Sequence, residues 1–307
     1  MKTPWWFLHK TPVSFLLLPF AVVYYAVSRI VYFFRKLHAY KSRRPVICIG
    51  NIFAGGVGKT PIVRETALVL DAPVVMRGYK KTAKTGGIGD EAAMLARHGL
   101  QVHTGNRKSN IRLLDAQDDS TPIVMDDGMQ NPGIKKDISI LVFDEAIGYG
   151  NGFLLPAGPL REPRRAARNA DAIIVIKSTR PRRKFVLPEG VPVFWAKNRT
   201  VNPYKNGTRL FAFAGIGYPK KFFRALDGVV GRRAFADHYQ YTDEDIERLI
   251  QMAERKKVKL ITTEKDWVRL PESVREKIKF AELQTEIDPK FFEWLKERLD
   301  ANTKKRS

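Results

Sequence analysis

Only one of the 307 residues is a cysteine, Cys48, which excludes an internal disulfide framework and any metal site built from clustered cysteines. No Asp or Glu occurs before Glu65, although ten basic residues fall in the same stretch. No apolar run reaches the roughly 20 residues that a spanning helix needs. The longest uncharged run near the amino end has 18 residues, contains Pro19, and is cut by Arg29 before a second apolar run, Ile30 to Phe34. A small-x-small cleavage signal does not follow it, which argues against a removed secretory signal. Internal repeats are absent, and only the last residues, ANTKKRS, read as a disordered tail. With 44% hydrophobic and 28% charged residues, the chain is not disordered as a whole.

What is present is positive charge. Lys and Arg number 54 against 32 Asp and Glu, a formal net charge of +22. An anionic partner follows: nucleic acid, a membrane surface or a phosphorylated substrate. Nucleic acid is not expected, because the basic residues lie beside apolar and Pro/Gly-rich segments without aromatic interleaving or a nucleic-acid motif. The amino-terminal 44 residues, with Trp5, Trp6, Tyr24, Tyr25 and Tyr32 beside Arg and Lys, fit a helix lying at an anionic membrane surface or entering one leaflet. A buried core helix is the competing reading. The basic run Arg35 to Arg44 would hold the rest of the chain on the cytoplasmic side.

Beyond Pro45 short apolar runs alternate with helical stretches. VICIG (46–50), APVVM (72–76), TPIVMDDG (121–128), ISILVFD (138–144) and AIIVIK (172–177) read as strands. Their Val and Ile do not alternate with polar residues, so both sheet faces are expected to be covered by helices. Residues 59–70 and 89–98 read as helices. From about Gly148 to Arg199 the composition shifts to Gly, Pro and Arg, with eleven basic residues and three acids between Arg161 and Arg199. A second α/β block follows: strands RLFAFAG, VKLITTE and KIKFAEL, and helices over 219–227, 242–257 and 288–299. The expected architecture is α/β, a doubly wound sheet with a smaller carboxy-terminal α/β lobe. The expected segments are a membrane-associated helix (1–44), a core (45–205), the lobe (206–300) and the tail (301–307).

The sequence GNIFAGGVGKTP (50–61) stands between a strand and a helix, the context a phosphate-binding loop requires. Gly55, Gly56 and Gly58 let backbone N–H groups turn toward phosphates, and the helix N-terminus adds a favourable field. Lys59 would reach the β/γ-phosphates of ATP, and the Thr60 hydroxyl would bind Mg²⁺. Phe53 stands where the strict pattern has its first glycine. Asp126 and Asp127 end an apolar strand, and acids at that edge can hold the Mg²⁺ shell.

Taken in order, GN-x3-GG-x-GKTP (50–61), RGY (77–79), GDE (89–91), DDG-x-Q (126–130), GNGFLLPAGPLREP (150–163), FAGIGYP (213–219), DH (237–238) and TTEKDWVRL (262–270) resemble the tetraacyldisaccharide 4′-kinase, or lipid A 4′-kinase, family over nearly the whole chain. The resemblance implies a P-loop NTPase-like kinase core over 45–205, and transfer of the ATP γ-phosphoryl group to the 4′-hydroxyl of an acylated disaccharide 1-phosphate at the cytoplasmic face of the inner membrane; a monomer is expected. In that family the loop needs no glycine at the position of Phe53. The resemblance makes Asp90 the catalytic carboxylate and His238 its partner, whereas alone they would read as a helix cap and an ordinary histidine. It places Asn51, Arg77, Tyr79, Gln130, Arg161 and Glu162 at the acceptor or nucleotide. Thr262 to Asp266 match without an assigned chemistry. The chain departs from the family at Met76, Asn131 and Tyr239, where Ser, His and a second His are common. A membrane-surface ATPase with a deviant phosphate loop and no acceptor is the alternative; Ala54 occupies the place of the second lysine that class needs.

Overall fold

The computed structural model describes residues 4–78, 88–179, 181 and 185–304. In chain order a 3-10 turn (Trp5–Phe7) precedes α1 (Pro12–Leu16), α2 (Leu18–Leu37), β1 (Val46–Gly50), α3 (Lys59–Leu70), β2 (Val74–Met76) and α4 (Asp90–Arg97). Next come β3 (Val102–Thr104), α5 (Arg107–Asp115), β4 (Ile123–Asp126), β5 (Ile138–Asp144), β6 (Ala172–Ile176), β7 (Val193–Val201) and β8 (Leu210–Ala214). The chain ends through α6 (Pro219–Arg224), β9 (Val229–Ala234), α7 (Asp243–Lys256), β10 (Lys259–Thr263), α8 (Glu264–Trp267), α9 (Glu272–Arg275), β11 (Lys279–Ile287) and α10 (Pro289–Lys304).

Two compact units result, and neither is continuous in sequence. The larger holds residues 4–77, 98–197 and 285–304, and the smaller holds 78–97 and 198–284, within the described residues. Continuous segments were the expectation from sequence; instead α4, with Asp90, joins the smaller unit and α10 the larger. The expected tail also begins late, since α10 runs on through Lys304.

Parallel strands of the larger unit lie in the order β3-β2-β4-β1-β5-β6-β7. All five residues of β1 are buried, with Val46 and Cys48 in one core cluster and Ile52, Leu141 and Phe143 in another. Apolar groups on both faces explain why these strands do not alternate. The order reverses around β1, so the loop after its carboxyl end stands at a topological switch point, where α/β sheets bind ligands. In the smaller unit the parallel order is β11-β10-β8-β9. There Phe213 packs with Tyr241, Ile246 and Leu249 of the α7 side, while Leu210, Ala212 and Ala214 pack with Phe222 and Phe223. A capping box between Thr242 and Asp245, three acids in the first turn and two bases in the last fix the limits of α7.

Pro19 lies in the first turn of α2, where its missing N–H interrupts nothing. This helix is not a core helix: Ala21 is its one buried residue, and Phe20, Val23, Val27, Ile30 and Phe34 are 54–61% exposed. Their spacing of three and four residues forms one apolar stripe along the outside. Before α2, the Asn151 amide donates to Trp6 O and Ser14 Oγ at 2.8 and 3.2 Å. After α2, buried Asp115 accepts from Tyr40 Oη and Ser42 Oγ at 2.7 Å each and from the Arg44 N–H at 3.2 Å. Asp115→Ala would strand these donors at about 1–3 kcal/mol each, so thermal denaturation should show a clear drop in Tm. Burial pushes the Asp115 carboxyl up, but Tyr40, Ser42 and the backbone outweigh it and hold it below the usual range. Its contribution is therefore present above the unfolded-state pKa, near 4, and is lost as pH falls through the lower folded value.

Candidate functional site

The phosphate loop is braced from below. Ala54 N–H donates to Pro159 O at 2.7 Å and Arg161 N–H to Ile52 O at 2.8 Å, so residues 52–54 pair with 159–161 as a short antiparallel bridge. Phe53 is buried in that bridge, and its ring lies 3.0 Å from where a Gly55 Cβ would stand. The aromatic residue at the expected glycine position is thus a support for the loop. Gly58, with φ 79°, is the left-handed residue that turns the chain into α3. Among the described residues, a Cβ on Gly56 would meet no atom within 4 Å, so that side of the loop is open.

Around this loop the larger unit gathers a polar network. Lys59 Nζ lies 3.2 Å from Asn51 Oδ1 and 3.3 Å from Asp127 Oδ1. Arg161 Nη1 donates to Asp127 Oδ2 at 3.0 Å and to Gln130 Oε1 at 3.1 Å. The Gln130 amide donates in turn to Asn51 O at 3.0 Å and Glu162 Oε1 at 2.8 Å. Arg107 Nη2 donates to the carbonyls of Asp126 and Asp127 at 2.8 and 3.1 Å, holding the strand end. Burial pushes the Asp127 carboxyl up, but Lys59 and Arg161 outweigh it and keep it below the usual range. Asp127 itself sits in the left-handed region, φ 50°, rare for a residue with a Cβ.

In the smaller unit a second cluster forms at the N-terminus of α4. Asp90 is buried, and its Oδ2 is 2.9 Å from His238 Nδ1 and 2.8 Å from Arg269 Nε. His238 is also left-handed, φ 59°, fixed by its N–H donating to Gly215 O at 3.0 Å. On the other ring edge, Lys265 Nζ lies 3.5 Å from His238 Nε2 and donates to Glu91 Oε1 at 2.8 Å. An ionised carboxylate only accepts, so the His238 tautomer matching this network carries its hydrogen on Nδ1. Burial raises the Asp90 carboxyl, yet His238, Arg269 and Lys265 together bring it below the usual range.

The sequence profile of the family described as tetraacyldisaccharide-1-P 4′-kinase matches residues 13–300. The chain belongs to this family. The tetraacyldisaccharide 4′-kinase of Paramagnetospirillum magneticum is 36% identical over 303 residues, covering 91% of this chain and 92% of that protein. That of Methylobacterium nodulans is 39% identical over 254 residues, covering 74% and 75%. A crystal structure of LpxK from Aquifex aeolicus, in complex with ATP, superposes with a TM-score of 0.75 at 24% identity, over 94% of this chain and 99% of that one. This last likeness bears on the fold, which is the P-loop kinase fold expected.

In this member of the 4′-kinase family, Asn51, Lys59, Asp127, Gln130, Arg161 and Glu162 form one network, with Thr60 in the first turn of α3 and Asp126 at the end of β4. Arg77 follows β2 at the same carboxyl edge of the sheet and is exposed. Tyr79 lies outside the described residues. Of the neighbouring pair, His238 reaches Asp90 while Tyr239 turns away and donates to Asp245 Oδ2 at 2.8 Å. The TTEKD segment acquires a structural explanation. Thr263 caps α8, Lys265 pairs with Glu91, and buried Asp266 accepts from Gly215 N–H, Tyr241 Oη and Arg269. Sequence reading missed Arg269 and Arg107. The signal for Arg269 was its place in the matched TTEKDWVRL run, three residues after Asp266.

Proposed function

We propose that the chain transfers the γ-phosphoryl group of ATP to the 4′-hydroxyl of a tetraacyldisaccharide 1-phosphate through these two clusters. Gly55, Gly56 and Gly58 present the loop to the phosphates. Lys59 offsets charge that develops on the transferred group, where fixed cations act most strongly. Asp90 takes the proton as the acceptor O–H bond breaks and the new O–P bond forms. The bridging P–O bond breaks and its electron pair leaves with ADP. His238 holds the carboxylate in orientation. Arg161, Gln130, Glu162, Asn51, Arg77 and Tyr79 are assigned to the acceptor or nucleotide. The observation that supports transfer to an acceptor over bare hydrolysis is the buried Asp90–His238 pair, 2.9 Å apart.

Hard oxygen donors suit Mg²⁺, which takes one or two carboxylates and draws its other ligands from phosphates and water. Asp126, Asp127 and Thr60 supply such a set, and no group of three acids, histidines or cysteines competes with it among the described residues. When bound, the ion would neutralise charge on the β and γ oxygens. A direct test of the acceptor assignment is an analogue whose 4′-oxygen is methylated. It should compete with the natural lipid and accept no phosphate; phosphorylation of the analogue would place the reacting hydroxyl elsewhere.

The finer location we assign is the cytoplasmic face of the inner membrane, held by α2. Its exposed apolar stripe is followed by Arg35 and Lys36 in its last turn. A cavity of about 860 Å³ opens between α2 and the 161–169 segment, with Tyr24 and Tyr32 on one side and Arg161, Arg165 and Arg168 on the other. Rings beside guanidinium groups suit an acylated anion. Changing Phe20, Val23, Ile30 and Phe34 together to Ser spares buried Ala21 and both anchors. Cosedimentation with anionic vesicles should then fall by at least about tenfold, since each buried CH₂ contributes about 0.8 kcal/mol. Unchanged binding would move the attachment to the arginine-rich segment.

A further inference from the structure

Arg269 is fully buried, an expensive place for a guanidinium unless its charge is matched. Nε donates to Asp90 Oδ2 at 2.8 Å, and Nη1 donates to Asp266 Oδ1 at 3.0 Å and to Gly215 O at 3.1 Å. Asp266 is locked in turn by Tyr241 Oη at 2.9 Å, Gly215 N–H at 2.9 Å and Thr263 Oγ1 at 2.6 Å. Gly215 admits this approach because a Cβ there would stand 3.0 Å from both Asp266 Oδ1 and Ala236 O. Two atoms of the cluster are buried without a hydrogen-bond partner among the described residues: Asp90 Oδ1 and Arg269 Nη2. A guanidinium fork fits both oxygens of a carboxylate. Here only one tine engages, and His238 binds the same oxygen.

We propose that Arg269 is a positioning residue for phosphoryl transfer: it pins Asp90 through Oδ2, together with His238, and leaves Oδ1 as the oxygen that accepts the acceptor's proton. The Asp266–Tyr241–Gly215 hub holds Arg269 rigidly enough to keep its fork open. This rests on Asp90 being the base. The titratable and charged groups around Asp90 are His238, Arg269, Lys265, Glu91, Asp237 and Asp266, with Glu91 taken by Lys265 and Asp266 by Arg269. Arg269 is thus the cation in direct contact with the base, and it also keeps Asp90 ionised.

The test measures kcat against pH, ATP affinity and Tm for Arg269→Gln, Arg269→Lys and Asp90→Asn, with MgATP and the lipid acceptor. Arg269→Gln should lower plateau kcat by about 10- to 100-fold through misplacement of the carboxylate, with ATP affinity unchanged. Its acidic limb should move up by about one unit, because an opposing charge has been removed. Arg269→Lys keeps the charge, so its acidic limb should stay near the parent's while plateau kcat remains low. A merely structural arginine would lower Tm without moving the limb. A folded Arg269→Gln with the parent's pH profile overturns the proposal. Should that variant fail to fold, parental kcat in Arg269→Lys overturns it. Near-normal kcat in Asp90→Asn would instead sink the assignment of the base itself.

Discussion

Lys59→Ala is expected to lower kcat by at least about 10²–10³-fold, the loss typical when one preorganised transition-state donor is removed. The ammonium lies between Asn51 Oδ1 and Asp127 Oδ1, at the start of α3 and beside the open face of the loop. Among the described residues, the other cation of this network, Arg161, is already committed to Asp127 and Gln130. The fold should survive, since the loop is braced by backbone bonds to residues 159–161 that do not involve the side chain. Arginine should not rescue the variant, because a planar fork and a point charge place their hydrogens differently. Single-turnover transfer from labelled ATP, with Tm as the control for folding, checks this. Turnover within a few-fold of the parent would remove the phosphate-loop assignment.

Asp90→Asn is expected to lower kcat by about 10²–10⁴-fold, the usual contribution of general acid–base catalysis, with ATP affinity nearly unchanged. Asparagine keeps the shape and lets Arg269 and His238 keep an oxygen partner, so the loss reports the missing base. The loop network of Asn51, Lys59, Asp127, Gln130 and Arg161 does not include Asp90. In the parent, His238, Arg269 and Lys265 hold the carboxyl below the usual carboxylate range, so it is ionised at neutral pH. Its protonation should therefore not limit kcat near neutrality. His238→Ala should be milder, and its combination with Asp90→Asn less than additive. Calorimetric ATP binding beside steady-state kcat separates the roles. Loss of ATP binding in Asp90→Asn would make it a nucleotide-site residue.

Much of the fold and site is legible in the sequence, and the gaps have physical causes. Buried parallel strands announce themselves by unbroken Val and Ile, and GGVGKT between strand and helix has one good interpretation. The strand Val193–Val201 does not stand out inside the Pro/Arg-rich stretch, because VFWAKNRTV runs four apolar residues into four polar ones and lacks the alternation of a half-buried strand. The helix Arg107–Asp115 does not stand out because RKSNIRLLD has three apolar residues, of which only Ile111 and Leu114 are buried while Leu113 faces out. Asp90 and His238 are 148 residues apart in sequence, so their contact is a property of the fold, and only the family resemblance could pair them beforehand. Arg269 is the sharpest case. Arginine is almost never fully buried unless paired, and its two carboxylate partners are one near in sequence and one far.

Consumption of γ-labelled ATP by one preparation, with and without tetraacyldisaccharide 1-phosphate, tests the central claim most directly. The expected result is that ATP loss depends on the lipid, that one labelled phosphate appears on the lipid for each ADP formed, and that the label lies at the 4′-position. ATP loss at the same rate without the lipid, with no label on the lipid when it is present, would contradict the account and leave an ATPase without an acceptor.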